Sequence, residues 1–418
     1  MEEILFLAHR LPYPPNKGDK IRSFHILRHL AQRYRVHLGT FVDTPEDEQH
    51  VPMLRGLCGG QVCAARLRPR WALLRSLAGL LDGRPLTEAY YRDKRVAGWV
   101  STLLRERPVR RAVVFSSSMA QYLSGAAQLR RVLDLVDVDS EKWRQYALAR
   151  RWPAAALYRR EAARLLVAER RAAGEFSATL LVSEQEAQVF RALAPEVASR
   201  VRAMSNGVDT DHFDPAIAYP DPYQGSGGRC MVFTGAMDYW PNVDAVCWFA
   251  DAVLPRVLQC LPEARFFIVG RDPARAVRQL ARHPGVIVTG GVADVRPYLA
   301  HAGVAVAPLR LARGIQNKVL EAMAMARPVI ASPQALEGLS VRVPEDVRVA
   351  ADPQQFRQQV VDLLTSGAAA AGQAARRAVV RDYAWDNCLQ VLDRLLECPE
   401  PADNGKSVIR PGQPAGAM

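Results

Sequence analysis

One stretch, VAVAPLRLARGIQNKVLEAMAMARPVIAS (residues 304–332), carries the pattern that decides the fold. A short apolar run ends at Pro308, a loop containing arginines and a glycine follows, and the spacing predicts a helix from about Ile315 to Met325 before the next apolar run. This is a strand–loop–helix–strand unit, the connection that parallel strands require. It places a loop and a helix start at the carboxyl end of a strand, where open parallel sheets bind their ligands.

The same alternation of short apolar runs and longer helical segments continues along the whole chain. Each half has enough runs for its own sheet, so the predicted fold class is α/β, with two Rossmann-like doubly wound domains facing each other across a cleft. The predicted strands cover residues 4–8, 36–40, 112–115, 132–136 and 180–183 in the first half and 230–234, 265–269, 286–289, 304–307, 328–331 and 347–350 in the second.

We divide the chain near residue 200. Residues 1–200 are the predicted N-terminal domain and 201–380 the C-terminal domain. A helix over 381–399 is expected to return to the N-terminal domain, and residues 400–418, rich in proline and glycine, are expected to be disordered.

The composition excludes several classes of protein. With 418 residues, 49% hydrophobic and 23% charged, the chain is too long for one ordinary core and too apolar to be disordered throughout. Its 7 cysteines lack metal-ligand spacing and indicate free thiols in a reducing compartment. The N-terminus has acids where a signal peptide has basic residues, and the longest uncharged run is interrupted by serine and glutamine. We therefore expect a soluble cytoplasmic protein.

Positive charge is concentrated in the first part of the chain. The net charge is +12, and residues 1–175 hold 31 Lys and Arg against 18 Asp and Glu, while the rest is close to neutral. A predicted helix over 151–174 places Arg160, Arg164 and Arg171 on one side. This helix either packs on its own sheet or sets a basic face against anionic lipid. The positive charge alone would also fit a nucleic-acid-binding protein, but the sequence contains no recognition motif that supports this hypothesis.

The helix after residue 314 carries the strongest candidate site. Lys318 and Glu321 are three residues apart and share a face, while the amides of Gly314 and Ile315 are expected to point into the cleft. A helix start, a glycine and a lysine suit a diphosphate, and a carboxylate one turn on can accept hydrogen bonds from ribose. The alternative is a surface ion pair between Lys318 and Glu321. Arg271, in RFFIVGRDP (265–273), adds a cation at a neighbouring strand end.

Five co-linear motifs carry a family resemblance across the second half of the chain. They are SNGVDTDHFDP (205–215), MVFTGAMDYWPNVDAVCWFADAVLPRV (231–257), ARFFIVGRDP (264–273), VTGGVADVRPYL (288–299) and APLRLARGIQNKVLEAMAMARPVIAS (307–332). Together they resemble the C-terminal half of family 4 glycosyltransferases, which are retaining enzymes of the GT-B fold. The segments over 8–41 and 132–147 look most similar to the bacterial subgroup associated with exosortase and PEP-CTERM exopolysaccharide loci.

The resemblance implies the roles of individual residues. Lys318 would stabilise the departing diphosphate, Glu321 would hold the ribose, and the Gly291–Val292 backbone would meet the base edge. No cofactor and no essential metal are implied. The implied nucleotide-sugar contacts are Gly18, Arg271, Gly291, Val292, Arg313, Gly314, Ile315, Lys318 and Glu321.

The chain departs from the family pattern in three places. Arg313 stands where the family commonly has the first of two loop glutamates, and the basic pair that often follows Gly235 is missing. Where many members place a histidine beside the transferred sugar, this chain has Asp137, Asp139 and Ser140. Alternate residues after a buried strand share a side, so both carboxylates could face the cleft, and Asp139 is a second catalytic candidate.

Two further interpretations concern the N-terminal cleft. In the alternative to a catalytic Asp139, the segment Asp139–Ser140 simply caps the next helix, with Ser140 as the cap. His9 and Asp19, close to Gly18, are also candidates for the cleft loops.

The reaction implied is transfer of a sugar from a UDP or GDP sugar to an acceptor hydroxyl. The expected acceptor is a glycan on a polyprenyl diphosphate carrier, which would place the protein at the inner face of the cytoplasmic membrane. The main alternative is a nucleotide-sugar epimerase on the same scaffold, which would need no acceptor.

Overall fold

The computed structural model describes residues 1–15, 18–80, 83–148, 150–223, 229–312, 314–367 and 369–397. Arg313 and the predicted disordered tail over 400–418 lie outside them. The described residues form two parallel sheets, one of seven strands and one of six. The predicted fold class, α/β with two doubly wound sheets, is confirmed.

The N-terminal sheet has the order β3-β2-β1-β4-β5-β6-β7. Its elements are β1 (Glu3–Ala8), α1 (Gly18–Arg33), β2 (Arg35–Val42), α2 (Pro45–Glu48), α3 (Val51–Cys58), β3 (Gly59–Arg66), α4 (Pro69–Ala78), α5 (Leu86–Tyr90), α6 (Lys94–Glu106), β4 (Arg111–Phe115), β5 (Arg130–Val136), α7 (Asp139–Leu148), α8 (Ala154–Glu175), β6 (Ala178–Leu181), α9 (Glu184–Leu193) and β7 (Val201–Ala203).

The C-terminal sheet has the order β10-β9-β8-β11-β12-β13. Its elements are β8 (Cys230–Thr234), α10 (Trp240–Trp248), α11 (Leu254–Cys260), β9 (Arg265–Val269), α12 (Arg275–Leu280), β10 (Val286–Gly290), α13 (Arg296–His301), β11 (Val304–Ala307), α14 (Asn317–Ala324), β12 (Val329–Ala331), β13 (Arg348–Val349), α15 (Pro353–Ser366) and α16 (Ala369–Tyr383); α17 (Trp385–Glu397) follows.

Strand β1 shows why these apolar runs form central strands. All six of its residues are buried. Leu5 and Leu7 join the hydrophobic cluster on one face of the sheet, and Ile4, Phe6 and Ala8 join the cluster on the other. Period-two alternation therefore fills both faces of a sheet that is covered on each side.

In each sheet the strand order reverses at one point, between β1 and β4 and between β8 and β11. Helices leave such a point on opposite faces, which opens a crevice at the carboxyl ends of the two strands. His9 follows β1 directly, Gly235 follows β8, and the loop to Lys318 follows β11. The crevices therefore lie beside His9 in the N-terminal domain and beside Gly235 and Lys318 in the C-terminal domain.

The structure differs from the predicted boundaries and strands at several points. The N-terminal sheet includes β7 at Val201–Ala203, beyond the predicted boundary, and β3 at Gly59–Arg66, which the sequence pattern missed. Strand β3 is half-exposed and lies at the sheet edge, so it lacks a strong apolar run. At the other end α16 belongs to the C-terminal core as far as Tyr383, and α17 packs its Trp385 and Leu392 into the N-terminal core.

A buried ion pair joins α1, β5 and the connection between the domains. The Arg22 guanidinium donates to both oxygens of Asp134, at 2.7 and 3.1 Å, and to the carbonyl of Met204 at 2.8 Å. It also donates to the Asn206 side chain at 2.9 Å. Arg22 is 1% exposed and Asp134 is fully buried, so water reaches neither charge and each is stabilised by the other.

Replacing Asp134 by alanine is expected to lower the free energy of unfolding by about 3–5 kcal/mol, because the Arg22 guanidinium would stay buried without a carboxylate. Urea denaturation followed by circular dichroism measures this change. The double variant Arg22→Met/Asp134→Leu should recover much of the loss, since it removes both charges.

The exposed pair of Arg144 and Glu141 on α7, with Nε 2.7 Å from Oε2, is the matched control. Arg144→Ala should leave the unfolding midpoint nearly unchanged, because exposed pairs contribute little. Equal losses for Asp134→Ala and Arg144→Ala would contradict the role of the buried pair.

Candidate active site

Three strand ends of the C-terminal sheet are joined by backbone hydrogen bonds through glycines. Gly235 donates to Val269 at 3.0 Å, and Gly270 donates to Gly290 at 3.1 Å. A Cβ on Gly270 would lie 1.6 Å from the Gly235 carbonyl oxygen, so only glycine fits there. The glycines bring the carboxyl ends of β8, β9 and β10 to one level and leave an open edge for a ligand.

Lys318 lies at this edge, as the second residue of α14, the helix that follows β11. Its ammonium donates to the Asn242 side chain at 2.6 Å and sits 4.6 Å from the centre of the Phe233 ring. A Cβ built on Gly235 would lie 3.5 Å from the same ammonium nitrogen, which places the charge beside the glycine edge. Asn242 is buried and is itself held by a 2.9 Å hydrogen bond to the Ala236 carbonyl.

Burial shifts the pKa values of both predicted site residues on α14, Lys318 and Glu321. It lowers the pKa of Lys318 to about 8, although the Glu321 carboxylate opposes the shift. It raises the pKa of Glu321 to about 7, although Lys318 opposes that shift. The surface ion pair that we kept as an alternative is therefore wrong: both groups are partly buried, and the lysine is held by Asn242.

Helix α14 begins later along the chain than the sequence predicted. The first helical residue is Asn317, and Gln316 precedes it with extended backbone, so Gly314 and Ile315 lie outside the helix. Gly314 has a φ of 69°, a left-handed conformation that favours glycine. A Cβ on Gly338 would lie 3.6 Å from Ile315 and 3.7 Å from Ser183, so Gly338 lies between this loop and the start of α9 in the N-terminal domain.

Arg271 and Gly291 lie next to each other on the same edge. A Cβ on Gly291 would be 3.5 Å from the Arg271 Cβ, and the Arg271 guanidinium is exposed. Val292 is half-buried against the C-terminal core. The structure therefore groups Lys318, Arg271 and the Gly291–Val292 backbone, while Arg313 lies outside the described residues.

The N-terminal side of the cleft contains a charged cluster around His9. The His9 ring stacks on Phe115 with centroids 5.7 Å apart, and its Nε2 is 3.8 Å from Asp19. Arg10 links Asp19, at 3.0 Å, to Asp43, at 2.9 Å. Burial lowers the pKa of His9 to about 4, so the ring is neutral at pH 7.

Gly18 is the first residue of α1, beside Asp19. Among the described residues, a Cβ on Gly18 would meet nothing within 4 Å, so packing alone does not require glycine at this position.

The expectation that Asp137 and Asp139 share one side of a strand is wrong. Strand β5 ends at Val136, whose φ of 68° is left-handed and whose amide donates to Asp134 at 3.2 Å. The alternation of side chains stops there, and Asp139 is the first residue of α7. The predicted Ser140 cap is also wrong, because Ser140 lies inside the helix and donates its hydroxyl to buried Glu169 at 2.5 Å.

Glu169, a buried carboxylate on α8, supports the start of α7 by accepting hydrogen bonds from the Ser140 amide and hydroxyl. Burial raises its pKa to about 8, although hydrogen bonds from Ser140 oppose the shift. Sequence reasoning missed this contact because Glu169 and Ser140 are far apart in the chain.

The predicted basic face of α8 is partly used within its own domain. The Arg160 guanidinium donates to the Gly79 carbonyl at 2.9 Å, and Arg171 contacts Glu88 at 3.4 Å. Arg164 lines a cavity of about 670 Å³ between α5, α6 and α8. Arg160 therefore serves domain packing, and the face is not a free basic surface.

Within the described residues, no helix has the length and apolar character needed to span a membrane. The same residues contain no group of three or more His, Cys, Asp or Glu that could hold a metal ion.

Residues 228–366 match the family model for glycosyl transferases group 1. Similar solved structures include a sucrose-phosphate synthase from Thermosynechococcus elongatus (16% identity, 94% of this chain and 98% of that chain, TM-score 0.64) and Anabaena HepE in complex with UDP (15%, 95% and 99%, TM-score 0.61). WaaG, a glycosyltransferase involved in lipopolysaccharide biosynthesis, is also similar (16%, 94% and 100%, TM-score 0.61). No curated protein matches the chain in sequence. The match over residues 228–366 therefore assigns that segment to the group 1 glycosyl transferase type, and the similar solved structures show that the whole chain has the GT-B fold.

Proposed function

We propose that this chain transfers a hexose, with retention, from a UDP or GDP sugar to a hydroxyl of a lipid-linked glycan in exopolysaccharide synthesis. The observation that carries the donor assignment is the partly buried Lys318 ammonium, held by Asn242 at the glycine edge where β8, β9 and β10 end. Similar Anabaena HepE was solved in complex with UDP-glucose, which supports a uridine nucleotide.

The chemistry requires stabilisation of the leaving group. The bond between the anomeric carbon and the diphosphate oxygen breaks, the acceptor oxygen bonds to that carbon, and the acceptor loses its hydroxyl proton. Negative charge grows on the diphosphate as it leaves, so a fixed cation there stabilises the transition state more than the ground state. We assign this role to Lys318, with exposed Arg271 as a second cation and Glu321 at the ribose.

The acceptor and the cellular location are inferred from the N-terminal half of the chain. The segments over 8–41 and 132–147 suggest the exosortase-associated subgroup, and the basic N-terminal half suits a diphosphate-linked acceptor at an anionic membrane. We therefore propose a cytoplasmic enzyme that acts peripherally at the inner face of the membrane.

Lys318→Ala should abolish donor binding that the wild type shows. In a thermal-shift panel of UDP, GDP, ADP and their sugars, at least one nucleotide should raise the melting temperature of the wild type, because a ligand that binds only the folded state stabilises it. The Lys318→Ala variant should lose that shift, and its kcat should fall by roughly 10²–10³.

Arg282→Ala removes an exposed cation of the same domain and is the matched control, with shift and turnover unchanged. Stabilisation of Lys318→Ala equal to that of the wild type would contradict the donor site. Consumption of the nucleotide sugar without any acceptor would instead favour the epimerase.

The pH profile should report the two shifted groups on α14. The Lys318 cation is lost as pH rises through about 8, and the Glu321 carboxylate is lost as pH falls through about 7. The profile of kcat/KM should therefore be a narrow bell between these values, since kcat/KM reports the free enzyme.

In Glu321→Gln the acid limb should disappear while the alkaline limb remains. The alkaline limb of kcat should lie at higher pH than that of kcat/KM, because a bound diphosphate favours the charged ammonium. A profile that is flat through neutral pH would exclude these two groups from the reaction.

Asp139 keeps its proposed catalytic role at the cleft edge after β5. Asp139→Asn should lower kcat by about 10²-fold with donor affinity unchanged, if the carboxylate moves a proton or orients the sugar. Steady-state kinetics and the thermal shift with nucleotide measure the two effects separately. Unchanged turnover would contradict the catalytic role and would leave Asp139 only as the first residue of α7.

A further inference from the structure

Helix α4 shows the reverse of the usual amphipathic pattern. Its large apolar residues face solvent: Trp71 is 62% exposed, Leu73 58%, Leu74 56% and Leu77 48%. The side that packs inward is small, because Ala72 and Ser76 are the buried positions. The Ser76 hydroxyl donates to the Ala72 and Leu86 carbonyls at 3.0 and 3.1 Å, which holds the helix in this orientation. A contiguous exposed apolar surface of this kind marks an interaction site.

The connection between α7 and α8 has the same character. Leu148 is 75% exposed and Trp152 is 82% exposed, on either side of the turn, and Leu157 follows at 37%. Arg160 on α8 donates to the Gly79 carbonyl at 2.9 Å, which ties this hairpin to the end of α4. We name α4 together with residues 146–148 and 150–157 the apolar face.

The charges within the two segments of the apolar face are positive, and Glu141, the partner of Arg144, lies just outside the second segment. Residues 66–80 contain four arginines and no acid, and residues 142–160 contain one lysine, five arginines and no acid. The arginines on or next to α4, Arg68, Arg70 and Arg75, are exposed. Beside the face, the cavity between α5, α6 and α8 is lined by Arg92, Lys94 and Arg164, with Glu88 and Asp93 as its acids.

We propose that the apolar face docks this chain on an anionic bilayer. Exposed tryptophans and leucines ringed by arginines fit the boundary between headgroups and acyl chains, where the rings and aliphatic groups enter and the guanidiniums meet phosphates. A second copy of the chain is the less favoured occupant, because the same basic segments would face one another across a symmetric contact.

The position of the face connects it with catalysis. Helix α4 follows the carboxyl end of β3, and α7 follows that of β5, so both start from the cleft edge of the N-terminal sheet. Docking would bring the acceptor side of the cleft close to the lipid surface. The inference rests on the proposed lipid-linked acceptor, because that acceptor gives the docking its purpose. The binding of the chain to the bilayer itself needs no nucleotide.

Sedimentation of the full chain with vesicles tests the proposal. Without nucleotide, the protein should bind vesicles of equal parts phosphatidylglycerol and phosphatidylcholine and bind pure phosphatidylcholine much less. Leu74→Glu/Leu77→Glu should reduce binding by more than about tenfold, because it removes inserting side chains and adds negative charge. Arg70→Gln/Arg75→Gln should weaken binding to the anionic vesicles by about fivefold for each arginine.

The matched control is Ile217→Glu/Val343→Glu, which adds the same two charges at residues 46% and 50% exposed in the C-terminal half. It should bind almost like the wild type. Tryptophan emission should shift to shorter wavelength on binding, and Trp71→Phe/Trp152→Phe should lose most of that shift while still sedimenting.

Three results would overturn the proposal. They are no binding of the wild type to anionic vesicles, equal loss in the control and the Leu74→Glu/Leu77→Glu variant, and a dimer in light scattering that the α4 variant dissociates. Nucleotide thermal shifts of the α4 variant should match those of the wild type. A failed vesicle experiment therefore leaves the donor-site assignment standing, and a failed nucleotide panel leaves the vesicle result standing.

Discussion

The buried pair of Arg22 and Asp134 is the interaction on which the geometry of the cleft depends. Arg22 belongs to the helix that follows β1, and Asp134 belongs to β5, so the pair fixes α1 on the sheet beside the crevice. The same guanidinium holds the Met204 carbonyl and Asn206, where the chain leaves the N-terminal sheet for the second domain. Asp134 also accepts from the Val136 amide and so supports the left-handed turn that starts α7. One ion pair thus sets the cleft loops, the domain connection and the start of the hairpin.

The C-terminal domain obtains its site by a different constraint. Glycines at the strand ends let the backbone close into one level edge, which has no side chains of its own to supply charge. The charge comes from Lys318, and its burial is costly unless the ammonium is hydrogen-bonded. Asn242 meets that need, and it stands in the segment where the family's usual basic pair is missing. Because the group that directly hydrogen-bonds the ammonium is neutral, the lysine would keep its charge available to a diphosphate in the proposed site, whereas a directly bonded carboxylate would compete with the diphosphate.

Sequence patterns predicted the parts of this structure that depend on local periodicity. The fully buried strands, such as β1, and the helix carrying Lys318 and Glu321 follow from apolar spacing alone. The contacts that decide the site are long-range: Asn242 reaches Lys318 across 76 positions, and Glu169 reaches Ser140 across 29. The expectation that Asp137 and Asp139 share one side was wrong because Val136 adopts a left-handed φ. A β-branched residue rarely adopts this conformation, so residue preferences argue against a turn at this position. No spacing rule could reveal that turn, since Asp134 stabilises it from within the strand.

The excess positive charge takes on a meaning that composition alone does not supply. Part of it is internal, because Arg22 and Arg160 bond to groups within the N-terminal domain. What remains is concentrated beside exposed leucines and tryptophans, in two segments without acids. A solvated basic surface would not need large apolar side chains to face water, and a nucleic-acid site would not gain from exposed leucines. An anionic lipid surface, the partner that we propose, would use both the charge and the exposed apolar residues of this half.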